Sequence, residues 1–584
     1  MKTLFEKNIK FFYNRLPAYY TLITSIKKKN FLIKDSNIID SNGGKIYPSS
    51  IEKDSRILAS DPLNNRLWHK HYFFIEPVSW DENEFPHTGK AVNNLITQFK
   101  KASSYKQKDF LFQKNFLPAT VILGLLSGRH LQILVENYDF HSLFIYEPNP
   151  EFFAISLYFV DYEKIYKKLE GRFFLWVNAK LDYFAVEKFF YERTVTSNFL
   201  QLTLKTYDHP LIHDAHAKFE QIRAAKTRGW GTFEDELKGV ENHYENIQKR
   251  KLYKPPQKKP QLPVCVIANG KSLEKNFTFI KQNAESMILI SVGTALKPLL
   301  AKNINPDFHI EQERIDILPE ILKDSLPRFK GVFIGASVVN PAVFEMSKKS
   351  LIYIREGFSL NKELQLKGSS PIVGNAGLAF ASTIGKEIYL CGMDLGFRLH
   401  GKKHASQSYY DDKNDTVRTG IKIEGNFSDD IYTDSLFLSS KRKMEHLIKT
   451  ENLEVYNLSD GAYINNTTPL KFKTLPKINK KPLIEKVLNS ACTIEKPQKP
   501  ALKEILKLID ASLNRPVKDI KELTGIVDFL EDIFKSNINN PSFALLKGSL
   551  FHYLNYLYIL SHKVEDIGFL KHRFSEFFPP FTDT

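Results

Sequence analysis

The chain has 584 residues, a mass of 67.5 kDa and a formal net charge of +16. A hydrophobic fraction of 42% and a charged fraction of 25% exclude wholesale disorder. The basic excess points to anionic partners: nucleotides, phosphosugars, nucleic acid or an acidic membrane surface.

The length allows three to five domains, or two large ones with insertions. The N-terminus (MKTLFEKNIKFFYNRLPAYY) is charged and has no apolar h-region, so it does not read as a secretory signal. The most apolar short stretch, ATVILGLL at 119–126, is far below the ~18 residues a membrane span requires. Cys265, Cys391 and Cys492 are too far apart for a local disulfide framework or zinc cluster. A cytoplasmic protein is expected.

Residues 1–250 carry a first α/β signal. A strand over ATVILGL runs into Gly124 and Gly128, a helix over HLQILVEN follows, and a second strand, SLFIYE, ends on Glu147. A glycine turn after one strand and an acid after the next is how Rossmann-like domains hold a nucleotide ribose. Here the turn reads GxxxG and not GxGxxG, which favours a purely structural use of the fold.

A basic, proline-bearing stretch over 249–263 reads as a linker, since neither helix nor central strand can run through it. Beyond it, VCVIA, MILISV, GVFIGA, LIYI and EIYLCG alternate with helical stretches, the pattern of a parallel α/β sheet. Two more basic proline stretches, 471–482 and 496–500, close this central region of 251–480. The remainder, 481–584, shows only helical apolar spacing (ALKEILKLIDASL, VKDIKELTGIVDFLEDIFKS, SFALLKGSLFHYLNYLYIL) and is expected to be an all-helical domain.

The chemistry is expected in the central region. A strand over VCVIA breaks at Asn269, Gly270, Lys271 and Ser272 before a helix. A glycine there admits close backbone approach, and the helix N-terminus favours an anion. The Gly-Lys-Ser run is not a P-loop, because the required first glycine is Cys265. Gly374 and Asn375 open a helix of small residues that leads to strand EIYLCG and to Asp394. An acid just past the C-terminal end of a parallel strand lies where open α/β sheets bind ligands. Thr294 (in VGTAL) and Glu311 (in PDFHIEQE) leave strand-like segments on the same edge. The polar stretch HGKKHASQSYYDD then supplies His400, His404, Tyr409 and Tyr410, with histidine the natural proton shuttle near neutral pH. No CxxC or HExxH occurs, and His309 with Glu311 imitates the H-x-E of zinc deaminases without their PCxxC partner, so no metal site is expected.

The segments VIANGKSL, VGTALKPLLAKNINPDFHIEQER, GNAGLAFASTIGKEIYLCGMDLGF, KKHASQSYY, YTDSLF and VYNLSDGAYI resemble, in order, the motility-associated factor (Maf) flagellin glycosyltransferases and their shared DUF115 (MptE-like) domain. They also resemble the sialyltransferases of glycosyltransferase family 42, with Lys271 in place of that family's proline. The resemblance implies an α/β fold with a Rossmann-like glycosyltransferase domain. It implies transfer of a nonulosonic acid, pseudaminic or legionaminic, from its CMP-activated donor to Ser or Thr of flagellin, in the service of flagellum assembly and motility. No cofactor or metal is implied, because the sugar's own carboxylate can stabilise an oxocarbenium-like transition state. His404 and Asp394 are the expected catalytic residues, His404 as base. Asn269, Gly270, Lys271, Ser272, Thr294, Glu311, Gly374, Asn375 and Tyr409 are the expected donor-binding residues. The flanking regions are expected to recognise the protein acceptor. Two alternatives stand beside this reading. One is a 6-hydroxymethylpterin pyrophosphokinase-like enzyme. The other is a non-catalytic flagellin-binding protein.

Overall fold

A computed structural model describes residues 2–578 apart from 28, 73–77, 102–114, 170, 179, 198–199, 227–229, 257–261, 412, 414, 565–566 and 568–572. Part of the first expected linker, 257–261, therefore lies outside the described residues. The chain is α/β, as the strand–helix alternation predicts, and divides into two compact units. One comprises 1–231, 502–537 and 546–584; the other comprises 232–501 and 538–545.

This division differs from the expected boundaries near 250 and 480. The helix Phe233–Lys249 belongs to the second unit. Arg314 pairs with Asp235 and Glu236 at its start, while Asn246 donates to the carbonyls of Ser337 (2.9 Å) and Val339 (2.7 Å). The basic stretch that follows is partly ordered against the sheet: Leu252 N–H donates to Cys492 and Tyr253 N–H to Ile352, each at 2.7 Å. Nor do the C-terminal helices stand alone. Lys503–Leu513 and Ile520–Ser536 cluster with the N-terminal residues. Glu531, fully buried, accepts from the backbone N–H of Thr194 (2.5 Å) and Val195 (3.0 Å). Proline and charge mark flexible chain but carry no information about which unit a helix packs on.

The first unit is built on a five-stranded sheet in the order Trp68–Tyr72, Leu200–Lys205, Ala119–Leu123, Leu143–Glu147, Phe173–Val177. All pairings are parallel except that of the edge strand Trp68–Tyr72. Val121, Leu123, Phe144, Phe189 and Phe219 fill one face. The glycine turn after Ala119–Leu123 is closed from within the fold. Buried Glu147 accepts from the N–H of Leu125 (2.6 Å) and Asn149 (2.8 Å) and from the Tyr207 hydroxyl (2.6 Å). Burial pushes its carboxyl up to about 7. An acid engaged in this way holds its own turn, which agrees with the structural reading of the GxxxG motif.

The second unit carries a nine-stranded parallel sheet. Its order is Gln365–Leu366, Ser350–Arg355, Val332–Ala336, Phe308–Glu311, Ile288–Val292, Val264–Ile267, Glu387–Cys391, Glu454–Asn457, Thr468–Pro469. From Val264–Ile267 the chain runs strand by strand to one edge. It then returns through the helix Val373–Ile384 to Glu387–Cys391 on the other side of its starting strand. That reversal is a topological switch point, and the crevice beyond the C-terminal ends of two such strands is where open α/β sheets bind ligands. The strand cores are largely apolar and buried on both faces, as a parallel sheet requires.

Candidate active site

A cleft of about 330 Å³ opens at the switch point. It falls at the lower end of the range for small-ligand sites. The turns 268–270 and 392–396 form its floor, Gly293 and Thr294 and the helix start at Ile372–Gly374 one wall, and Glu311 and Glu313 another. Lys403, His404, Tyr410 and Phe437 complete it.

The two floor turns lie in contact. Gly270 N–H donates to the Gly392 carbonyl (2.8 Å), and a Cβ on Gly270 would stand 2.5 Å from Asp394 Cγ. Gly392 itself takes a left-handed φ of +63°. Asp394 is buried and accepts from the backbone N–H of Ser272 (2.9 Å) and from its hydroxyl. It thereby caps the helix Leu273–Gln282 from the neighbouring strand end. Burial pushes its carboxyl up to about 6 against the opposing pull of those donors.

The polar loop after Asp394 folds back along the same edge. Ala405 N–H donates to Asn269 (3.1 Å) and Lys271 N–H to Lys403 (3.0 Å), which sets His404 beside Gly270. The His404 Nδ1 lies 2.9 Å from both oxygens of Asp415, and Asp415 also accepts from the His404 backbone N–H at 2.8 Å. A carboxylate can only accept, so Nδ1 carries the proton and Nε2 keeps its lone pair. The imidazole stacks on Tyr410, with centroids 4.0 Å apart and planes 13° from parallel. Burial lowers the His404 pKa, and Asp415 partly offsets this. The ring is thus held neutral and in one tautomer, the state of a general base.

The walls differ in chemistry. Asn269 donates from Nδ2 to Thr294 Oγ1 (2.8 Å), but its Oδ1 is buried and makes no hydrogen bond. Glu311 Oε1 is likewise buried without a hydrogen-bond partner, and burial raises the carboxyl of nearby Glu313. These atoms call for a ligand that donates. Lys403 and the helix start at Val373 offer the opposite: a cation, and first-turn N–H groups with no intrahelical partner.

Asn269, Gly270, Thr294, Glu311, Gly374, Asp394 and His404 are therefore brought together at the cleft. Four expected residues lie elsewhere. Ser272 is buried beneath the floor on Asp394. Lys271 pairs with Glu274 at 2.7 Å outside the cleft lining. Asn375 is buried on Ser440, accepting from its hydroxyl (2.6 Å) and donating to its carbonyl (3.1 Å). Tyr409 sits under the Lys413 ammonium, and its neighbour Tyr410 takes the place by His404. Three residues were missed. Asp415 follows His404 by eleven positions in a polar stretch with no distinguishing spacing. Lys403 adjoins His404, pairs with Asp434 (3.1 Å) and stands over the rings of Phe397 (4.9 Å) and Phe437 (4.6 Å). Glu313, two residues after Glu311, was readable from its position alone. No helix among the described residues is long and apolar enough to cross a membrane.

The comparisons with known proteins agree with this architecture. Residues 4–221 match the sequence model of the glycosyltransferase Maf N-terminal domain. Residues 238–399 match that of a 6-hydroxymethylpterin diphosphokinase MptE-like domain. None of the curated proteins compared with the chain matches it. A solved Maf glycosyltransferase from Magnetospirillum magneticum AMB-1 shares the fold, with a TM-score of 0.72 at 19% identity over 99% of this chain and 95% of that one. Residues 4–221 thus carry the N-terminal domain of the Maf glycosyltransferases, followed by an MptE-like domain, and the chain has the fold of a Maf glycosyltransferase.

Proposed function

We propose that the chain transfers a nonulosonic acid, pseudaminic or legionaminic, from its CMP-activated form to Ser or Thr hydroxyls of flagellin in the cytoplasm. The observation that carries the reading is the His404–Asp415 pair at the mouth of a switch-point cleft whose walls divide into acceptors and anion-binding groups. Asn269 Oδ1, which makes no hydrogen bond, and Glu311 Oε1, which has only His309 Nε2 at 3.4 Å, suit the amino and hydroxyl donors of a cytidine. Lys403 and the amides at Val373 and Gly374 suit its phosphate.

In the transfer, the acceptor oxygen bonds to the anomeric carbon as that carbon's bond to the phosphate oxygen breaks. The bonding pair leaves on CMP, and its charge meets Lys403 and the helix amides. The hydroxyl proton passes to His404 Nε2, and Asp415 stabilises the imidazolium. Asp394 orients the floor of the cleft through Ser272 and does not need to exchange a proton. The test is co-expression with flagellin and a CMP-nonulosonate pathway, read by intact mass. A mass shift that appears with the wild-type chain and vanishes with His404→Ala supports the reading. Unmodified flagellin in the presence of the active donor refutes it.

A second reading is favoured by the two cleft carboxylates and by the description of the domain matched over 238–399. Glu311 and Glu313 suit a magnesium–ATP complex as well as a sugar nucleotide. Thermal protection by ATP with Mg²⁺ and not by CMP would select diphosphoryl transfer over glycosyl transfer.

A further inference from the structure

We propose that the first unit holds a divalent transition-metal site formed by His69, His71, His216 and Glu220. His69 and His71 lie on one side of the edge strand Trp68–Tyr72, because alternate residues of a strand share a face. His216 and Glu220 are one turn apart on the helix Pro210–Lys226 and also share a face. Their ligand-bearing atoms all lie within 4.8 Å of one another. Donors at ~2.1 Å from a common tetrahedral centre stand ~3.4 Å apart, so closure requires the ligand atoms to draw together by about an ångström.

The polar atoms at the centre are unsatisfied. His71 Nε2, His216 Nε2 and Glu220 Oε1 are buried and make no hydrogen bonds. His71 Nε2 and Glu220 Oε1 stand 2.6 Å apart and form an ion pair when His71 is protonated. The His69 ring is packed 4.0 Å from that of His71 and 5.0 Å from that of His216. With Nδ1 accepting from Arg223, His71 carries its proton on Nε2 toward Glu220, and a metal at this centre would take the place of that proton. Three imidazoles with one carboxylate match zinc and its neighbours better than calcium or magnesium.

The cations near the site define what loading must do. Arg223 donates to His71 Nδ1 and to Glu220 Oε2, each at 3.0 Å, and Lys205 also lies within electrostatic reach. A histidine ligating through Nε2 carries its proton on Nδ1, so Arg223 must leave His71 while it retains Glu220. The consequence of loading is mechanical. A bound metal fastens the antiparallel edge strand to a helix 145 positions later in the chain, from His71 to His216. Local motif reading passes over this site because neither His-x-His nor His-x3-Glu alone is a metal signature.

The experiment titrates chelator-treated full-length protein with Co²⁺, then with Zn²⁺. The expected result is one equivalent of Co²⁺ with the visible absorption of a four-coordinate ion, displaced by Zn²⁺ and lost in His71→Ala and His216→Ala. Arg223→Met should tighten binding by on the order of tenfold, the scale on which outer groups move metal affinity. Absence of the absorption band in the wild type overturns the proposal, as does equal binding by the histidine variants. Weaker binding by a folded Arg223→Met overturns it too, because the arginine would then be part of a metal-free ion-pair network. Should the histidine variants fail to fold, the wild-type titration and Arg223→Met decide the matter.

Discussion

Replacing Gly270 by alanine tests whether the two floor turns are as close as the fold requires. The Gly270 backbone is not left-handed, so the cost is steric. The new Cβ would meet Asp394 Cγ at 2.5 Å and the Gly392 carbonyl oxygen at 2.6 Å, about 0.9 Å inside ordinary contact. Overpacking of this kind costs ~1–3 kcal/mol. Separating the turns also breaks the Ser272–Asp394 hydrogen bonds, and one bond to a charged group contributes ~1.5–3 kcal/mol. The expected loss is then roughly 2.5–6 kcal/mol, which at an m-value near 3 kcal/mol/M lowers the urea midpoint by about 1–2 M. A Gly270→Val change meets the same contacts and should cost at least as much. Circular dichroism in urea reads the midpoint, and calorimetry reads CMP affinity, which should weaken as the floor moves. Asp394→Ala removes the Cγ contact but not the Gly392 oxygen, so the double variant should lose less than the sum of the singles. A Gly270→Ala protein with the wild-type midpoint, or strict additivity in the double variant, refutes the argument.

Three further outcomes follow from the site and from the first unit. His404→Ala should lower transfer by roughly 10²–10⁴-fold with CMP binding nearly unchanged. Because the His404 pKa is lowered, wild-type activity should persist below the pH where an ordinary histidine charges, and fall only as pH drops through the shifted value; an acid limb at or above pH ~6.5 contradicts this. Lys403→Met should weaken CMP binding by about 10–100-fold, the worth of a hydrogen bond to a charged group, while Lys271→Met should alter it less than about twofold. Equal losses would show that the anion lies elsewhere, as measured by calorimetry at fixed salt. Glu531→Ala removes the carboxylate that accepts from two buried N–H groups and should cost about 2–6 kcal/mol at ~1–3 each. Tryptophan fluorescence reads it, since Trp68, Trp80, Trp176 and Trp230 all belong to the first unit; an unshifted transition contradicts the contact.

The central sheet was legible because parallel strands are buried on both faces and so appear as apolar runs that stop at polar turns. That pattern located Val264–Ile267 and Glu387–Cys391, and with them Asn269, Gly270 and Asp394. What escaped was whatever depends on the direction a side chain takes after the turn. Lys271 and Lys403 are both cations beside a strand end and each has an acidic partner, but Glu274 draws the first away from the cleft while Asp434, Phe397 and Phe437 hold the second at it. Tyr409 and Tyr410 are adjacent and chemically alike, and only the stack on His404 separates them. Asp415 escaped because an acid in an acid-rich loop is indistinguishable until the loop folds back. The partners of the last helices escaped for a different reason: amphipathic spacing shows that a face is buried, not against what.

The two units also differ in how the ribosome delivers them. The second is almost complete once residue 501 has emerged, with only 538–545 outstanding. The first begins at residue 1, is interrupted at 231, and receives the helix bearing Glu531 only with residues 502–537. At ~5–20 residues per second, the intervening stretch takes about 15–55 s to synthesise. Throughout that interval the N–H groups of Thr194 and Val195 lack their acceptor, and the residues that the C-terminal helices cover stay open to water or to a chaperone. A chain that ends just after residue 501 would therefore carry every residue of the cleft and an unfinished N-terminal unit.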